Sequence, residues 1–132
     1  MDQEPLVNEQ VEAGKEFIAK FNEYVPVHAA FWLKATEDSS WYLYVASDRI
    51  NDQNFDVAYG EVLRLAPTLE DPNFDPFRVK VIGVDDPLAK AALAVYKRSA
   101  GRVPTRVRAS DFGPMGAEAV YLYPPLIAAV RA

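Results

Sequence analysis

"VHAAFWLKAT", residues Val27 to Thr36, divides cleanly into two alternating sets. Val27, Ala29, Phe31, Leu33 and Ala35 form one; His28, Ala30, Trp32, Lys34 and Thr36 form the other. A period of two marks a strand whose successive side chains leave opposite faces of a sheet. The first set is wholly apolar and is assigned to the core. The second carries the histidine, the tryptophan and the lysine, and is assigned to the opposite face.

The neighbouring segments extend this pattern. "EDSS" is rich in turn residues, and "WYLYVAS", Trp41 to Ser47, reads as a second strand closing a hairpin. In it Trp41, Leu43 and Val45 oppose Tyr42 and Tyr44. "FRVKVIGV", Phe77 to Val84, sets Phe77, Val79 and Val81 against Arg78 and Lys80. "TRVRAS" opposes Val107 to Arg106 and Arg108, and "EAVYLY" opposes Val120 and Leu122 to Tyr121 and Tyr123.

Helical periodicity lies between the strands. Val7, Val11, Gly14, Ile18 and Phe21 recur at spacings of three and four within Leu6 to Tyr24, and Pro26 stops that helix. Phe55, Ala58, Tyr59, Val62 and Leu65 line one face of a helix from about Asn54 to Ala66, preceded by Asn51 or Asp52 as a cap and closed by Pro67. Asp86 followed by Pro87 is a capping acid with proline at the first helical position, opening "LAKAALAVYKRSA", which Gly101 ends. "DFGPMG" is a loop, and "LIAAV" after Pro124 and Pro125 fits a short helix or a strand equally well.

The element order is thus α-β-β-α-β-α-β-β in a single domain, residues 1–132. The expected architecture is α+β in two layers, a mixed sheet of about five strands with its helices packed on one face. The third strand, its helix and the fourth strand are expected to form a parallel crossover.

Composition narrows the function classes. Half of the 132 residues are hydrophobic and a quarter are charged, a globular balance. No apolar run approaches the roughly 20 residues of a membrane helix, and "MDQEPLVNEQ" has neither the basic start nor the apolar centre of a secretory signal. The expectation is a soluble, cytoplasmic protein away from membranes. Cysteine is absent, which removes disulfides, thiolate metal sites and a cysteine nucleophile. The formal net charge is −5, yet it is polarised: residues 1–76 hold 15 acidic and 5 basic side chains, residues 77–132 hold 4 and 9. Such asymmetry points to an anionic partner or a polarised surface.

Catalytic and metal motifs find little support. His28 is the only histidine, and no nucleophile-elbow glycine pattern surrounds Ser47, Ser99 or Ser110. "DPNFD", from Asp71, starts like a calcium loop but has Pro76 at the glycine position and Ile82 at the position of the bidentate glutamate. Asp48, Asp52 and Asp56 are spaced by four but straddle a helix start. "DFG" at Asp111 lacks every companion kinase motif. No cofactor, metal or catalytic residue is assigned.

What remains is a face carrying His28, Trp32, Lys34, Tyr42, Tyr44, Arg78, Lys80, Arg106, Arg108, Tyr121 and Tyr123. Tyr, Trp and Arg are enriched at interface hot spots. The expected function is therefore a binding domain whose partner is another protein, its own copy in the simplest case. The alternative is single-stranded nucleic acid or another anion, with bases stacked on rings and phosphates held by Arg and Lys; no RNA-binding signature of the Lys/Arg-Gly-Phe type accompanies it. A small enzyme using His28 as acid or base is the remaining possibility.

Overall fold

A computed structural model describes residues 8–35, 40–71, 74–98, 106–107 and 117–123. Helix α1 is Asn8–Tyr24, followed by β1 (Ala29–Ala35), β2 (Trp41–Ser47), α2 (Phe55–Leu65), β3 (Val79–Gly83), α3 (Pro87–Arg98), β4 (Arg106–Val107) and β5 (Ala117–Leu122). Single 3-10 turns lie at Ala66–Thr68 and Pro76–Arg78. The expected "DFGPMG" loop, the "LIAAV" tail and Arg108 lie outside the described residues.

The strand order is β3-β2-β1-β5-β4. β1 pairs antiparallel with β2 and with β5, β5 antiparallel with β4, and β2 parallel with β3. The expected hairpin of β1 and β2 is present, and the sheet is mixed. The parallel crossover is β2-α2-β3, not the unit built on α3. α3 instead carries the chain from one sheet edge, β3, to the other, β4, and so has to pass across a face of the sheet.

That passage corrects the expected layering. α1 and α2 pack on one face, where Phe17, Ile18, Phe21, Ala58, Val62 and Leu65 meet Ala30, Trp32, Leu43, Val45 and Val79. α3 packs on the other, where Ala89, Ala92 and Val95 meet Ala29, Phe31, Leu33, Ala46, Val120 and Leu122. The protein is α+β as expected, with helices on both faces of the sheet rather than one. β1, in the middle, is buried on both sides: Ala29 through Leu33 are all at most 3% exposed. A strand buried on both faces reads as a near-continuous apolar run, so parity within it gives the alternation but does not tell which side faces which helix.

Local chemistry fixes the ends. Asp86 Oδ1 accepts a hydrogen bond from the Leu88 amide at 2.9 Å, the capping geometry expected ahead of Pro87. Before α2, Asn54 is the cap residue, and Asn51 organises the preceding turn by accepting from the Gln53 and Asn54 amides. Gly83 ends β3 where a side chain does not fit: a Cβ there would lie 2.7 Å from the Ile50 carbonyl oxygen. No helix among the described residues is long and apolar enough to cross a membrane.

Candidate functional site

The expected aromatic and basic face does not exist as one surface. Trp32, Tyr121 and Tyr123 lie on the α1/α2 side, while Tyr44 packs with the α3 side. The ladder register places Phe31 opposite Tyr44 and Trp32 opposite Leu43, so Trp32 of β1 and Tyr121 of β5 point away from Tyr44 of β2. The alternation within each of these strands is correct; the faces of β1 and β5 are reversed relative to β2 and β3.

Several of these side chains are structural. Trp32 Nε1 donates to Tyr123 Oη at 2.8 Å, and Tyr123 Oη donates to the Val11 carbonyl at 2.8 Å. Gly14 of α1 makes room for this relay, since a Cβ there would come within 2.5 Å of Tyr123 Oη. The Tyr123 amide donates to the Ala30 carbonyl, and the Tyr123 carbonyl accepts from Tyr96 Oη of α3 at 2.7 Å. One residue thus ties α1, the sheet and α3 together. Burial pushes the Tyr123 and Tyr96 hydroxyls well above the ordinary tyrosine range, which keeps both protonated as donors. Tyr44 stacks on Phe31 with ring centroids 5.2 Å apart, and burial raises its hydroxyl as well. Lys34 is buried. Arg106 pairs with Tyr121 across the β4–β5 ladder.

His28 stands apart. Its amide donates to the Ala46 carbonyl at 2.8 Å. Its Nε2 lies 3.2 Å from Asp48 Oδ1, but the alignment leaves that nitrogen without a hydrogen bond. His28 Nε2 is buried but Asp48 is more than half exposed and makes no hydrogen bond to it, so the pair lacks the oriented setting of an acid–base dyad. Among the described residues no group of three or more histidines and carboxylates is placed to hold a metal ion.

Three of the expected residues do converge, at the β3 end of the sheet. The Arg78 guanidinium lies 5.8 Å and Lys80 Nζ 4.9 Å from the centre of the Tyr42 ring, both in cation–π range. Arg78 also donates to the Trp41 carbonyl at 3.4 Å and lies near Asp75. β3 is an edge strand: its one strand neighbour among the described residues is β2. Beside its outer edge runs an open groove of about 510 Å³, lined by Phe55, Asp56, Tyr59, Phe77 and residues 79–82.

Two hydrogen bonds shape the wall of this groove. Tyr59 Oη donates to the Pro76 carbonyl at 2.8 Å, pinning the 3-10 turn to α2. Asp75 Oδ1 accepts from the Phe77 amide at 2.9 Å, capping that turn. The result holds Phe77 out in solvent, 74% exposed, near Phe55 at 50%. Pattern alone puts both rings in the core, Phe77 by strand parity and Phe55 by helical periodicity, and both assignments are corrected here. The corrective signal is present at Asp75-Pro76, the same acid–proline pair that opens α3 at Asp86-Pro87. It makes Phe77 a turn residue, and parity does not extend into a turn.

No protein-family model, curated protein or solved structure matches the chain.

Proposed function

We propose that the protein is an association module that takes up an extended segment of another protein chain along the outer edge of β3. The backbone of the edge supplies strand pairing, the groove beside it takes apolar side chains, and Lys80 with Arg78 selects an acidic flank. This is strand addition, in which main-chain bonds give affinity and pockets for alternate side chains give specificity.

The observation that carries the reading is Phe77, a large ring fixed in water by a capped turn next to an edge strand. Holding a phenylalanine in solvent forgoes roughly 1.5–3 kcal/mol that burial would return, so its placement is best accounted for by a partner that covers it. Phe55, Tyr42 and Arg78 extend the same region with residue types common at interface centres, and Lys80 adds a charge at its rim. A polynucleotide finds less to hold: Trp32 and Tyr123, the rings it would need for stacking, are 3% and 6% exposed.

Panning a library of random linear peptides on the protein tests this reading. Enriched peptides should alternate apolar residues, carry acidic flanks, and lose about tenfold or more in affinity when Phe77→Ser is introduced. A library that yields no peptide dependent on Phe77 or Phe55 refutes it.

A further inference from the structure

Resting on that reading of the β3 edge, we infer that its occupant is β3 of a second copy of this chain, paired antiparallel about a two-fold axis to make one continuous sheet across a dimer. The charge order along the strand is the reason. β3 begins beside Arg78 and carries exposed Lys80; it ends at Gly83 and runs into exposed Asp85 and then Asp86. An antiparallel two-fold between Ile82 and Gly83 sets Lys80 of each strand against Asp85, just past the end of the other. Symmetry makes the match twice, as an isologous interface requires. A parallel pairing would instead put like charges side by side.

The same order explains how the edge stays selective. A lysine on a free edge discourages pairing with arbitrary strands. It becomes an attraction only where the incoming strand places a carboxylate in the right register, and the C-terminal flank of β3 does so. Lys80 and Asp85 are both exposed within the chain. Lys80 Nζ lies 4.9 Å from the centre of the Tyr42 ring. The two copies of Phe77, each at the start of its β3, would stand at opposite ends of the paired strands, beside the groove that each strand borders. The five residues of the strand pair therefore gain apolar contacts at both ends, which a small interface needs to be stable.

Charge-swap sedimentation decides the question. The wild-type chain should pass from monomer to dimer across about 1–500 µM, as mass action requires. Lys80→Glu and Asp85→Lys should each weaken the dimer about tenfold or more, because each puts like charges opposite across both symmetric contacts. Mixing the two variants should restore association. In the mixed dimer the two substituted positions face each other with opposite charges, their signs exchanged, and the other contact is the native pairing of Lys80 with Asp85. Both positions are exposed, so the variants keep the fold, and circular dichroism verifies it. A strictly monomeric wild type overturns the inference, as does a dimer indifferent to both substitutions or a mixture that fails to associate. Peptide binding that depends on Phe77 in a monomeric wild type would overturn the second copy as occupant while leaving the strand-addition reading intact.

Discussion

Replacing Tyr123 by phenylalanine removes a single oxygen and tests the centre of the fold. The ring stays, so apolar packing is nearly unchanged. What is lost is the acceptor for Trp32 Nε1 at 2.8 Å and the donor to the Val11 carbonyl at 2.8 Å. The Val11 carbonyl sits in α1 and keeps its helical partner. The indole N–H has no such reserve, because Trp32 is 3% exposed and water does not reach it. Leaving one buried donor unsatisfied costs about 1–3 kcal/mol. For a chain of this size that lowers Tm by about 4–12 °C. Urea unfolding followed by tryptophan fluorescence measures it: the midpoint should fall while the slope stays constant, since the surface exposed on unfolding is the same. Trp32→Phe completes a double-mutant cycle. Once the indole N–H is gone the hydroxyl is no longer missed, so the double variant should be less destabilised than the two singles added together by about 1 kcal/mol. An unchanged midpoint for Tyr123→Phe, or strict additivity in the cycle, refutes the relay.

Gly14→Ala should destabilise the protein although alanine is favoured over glycine in a helix by about 1 kcal/mol, because the added methyl would meet Tyr123 Oη at 2.5 Å and Trp32 Nε1 at 3.1 Å; a thermal melt showing a gain would mean that α1 moves away freely. Alkaline pH should unfold the protein: above about pH 10 the unfolded chain releases tyrosine protons that burial makes folded Tyr96 and Tyr123 retain, so stability present below that pH is lost as it rises, by up to about 2.7 kcal/mol per pH unit for the two groups. Tyr96→Phe should flatten that slope in denaturant midpoints taken from about pH 9 to 11, and an unaltered slope would remove Tyr96 as a cause.

Much of the architecture is legible in the sequence because it rests on local chemistry. The stripe from Val11 to Phe21 gives α1, the pair Asp86-Pro87 starts α3, and alternation in "WYLYVAS" gives β2 with its correct faces. The layer structure is not legible from the same signals. Phe31 and Trp32 are adjacent, equally suited to burial, and both are buried, and Lys34, which marks the Trp32 side as polar, is buried too, so the polar letters around β1 point to the wrong face. Only the ladder partners orient it, Tyr44 for Phe31 and Leu43 for Trp32, and these are set by long-range pairing. Ala89, Ala92 and Val95 mark α3 as a helix with an apolar stripe but do not say which face of the sheet it covers; the strand order says that, by putting β3 and β4 at opposite edges. At the candidate site Tyr42 and Lys80 follow from parity within β2 and β3, whereas Arg78 belongs to the 3-10 turn ahead of β3. Phe77 and Phe55 do not, because an exposed ring and a core ring look alike in a pattern of apolar letters.

The central strand receives its second neighbour from much later in the chain: Trp32 and Tyr123, bonded to each other, are 91 positions apart. During synthesis the ribosome must release all of the intervening residues before β5 emerges, and until then one flank of β1 stays open with Phe31, Trp32 and Leu33 beside it. A nascent chain in that state is a natural client for a chaperone, and any stop codon ahead of Tyr123 would leave a product with a bare hydrophobic seam through its middle.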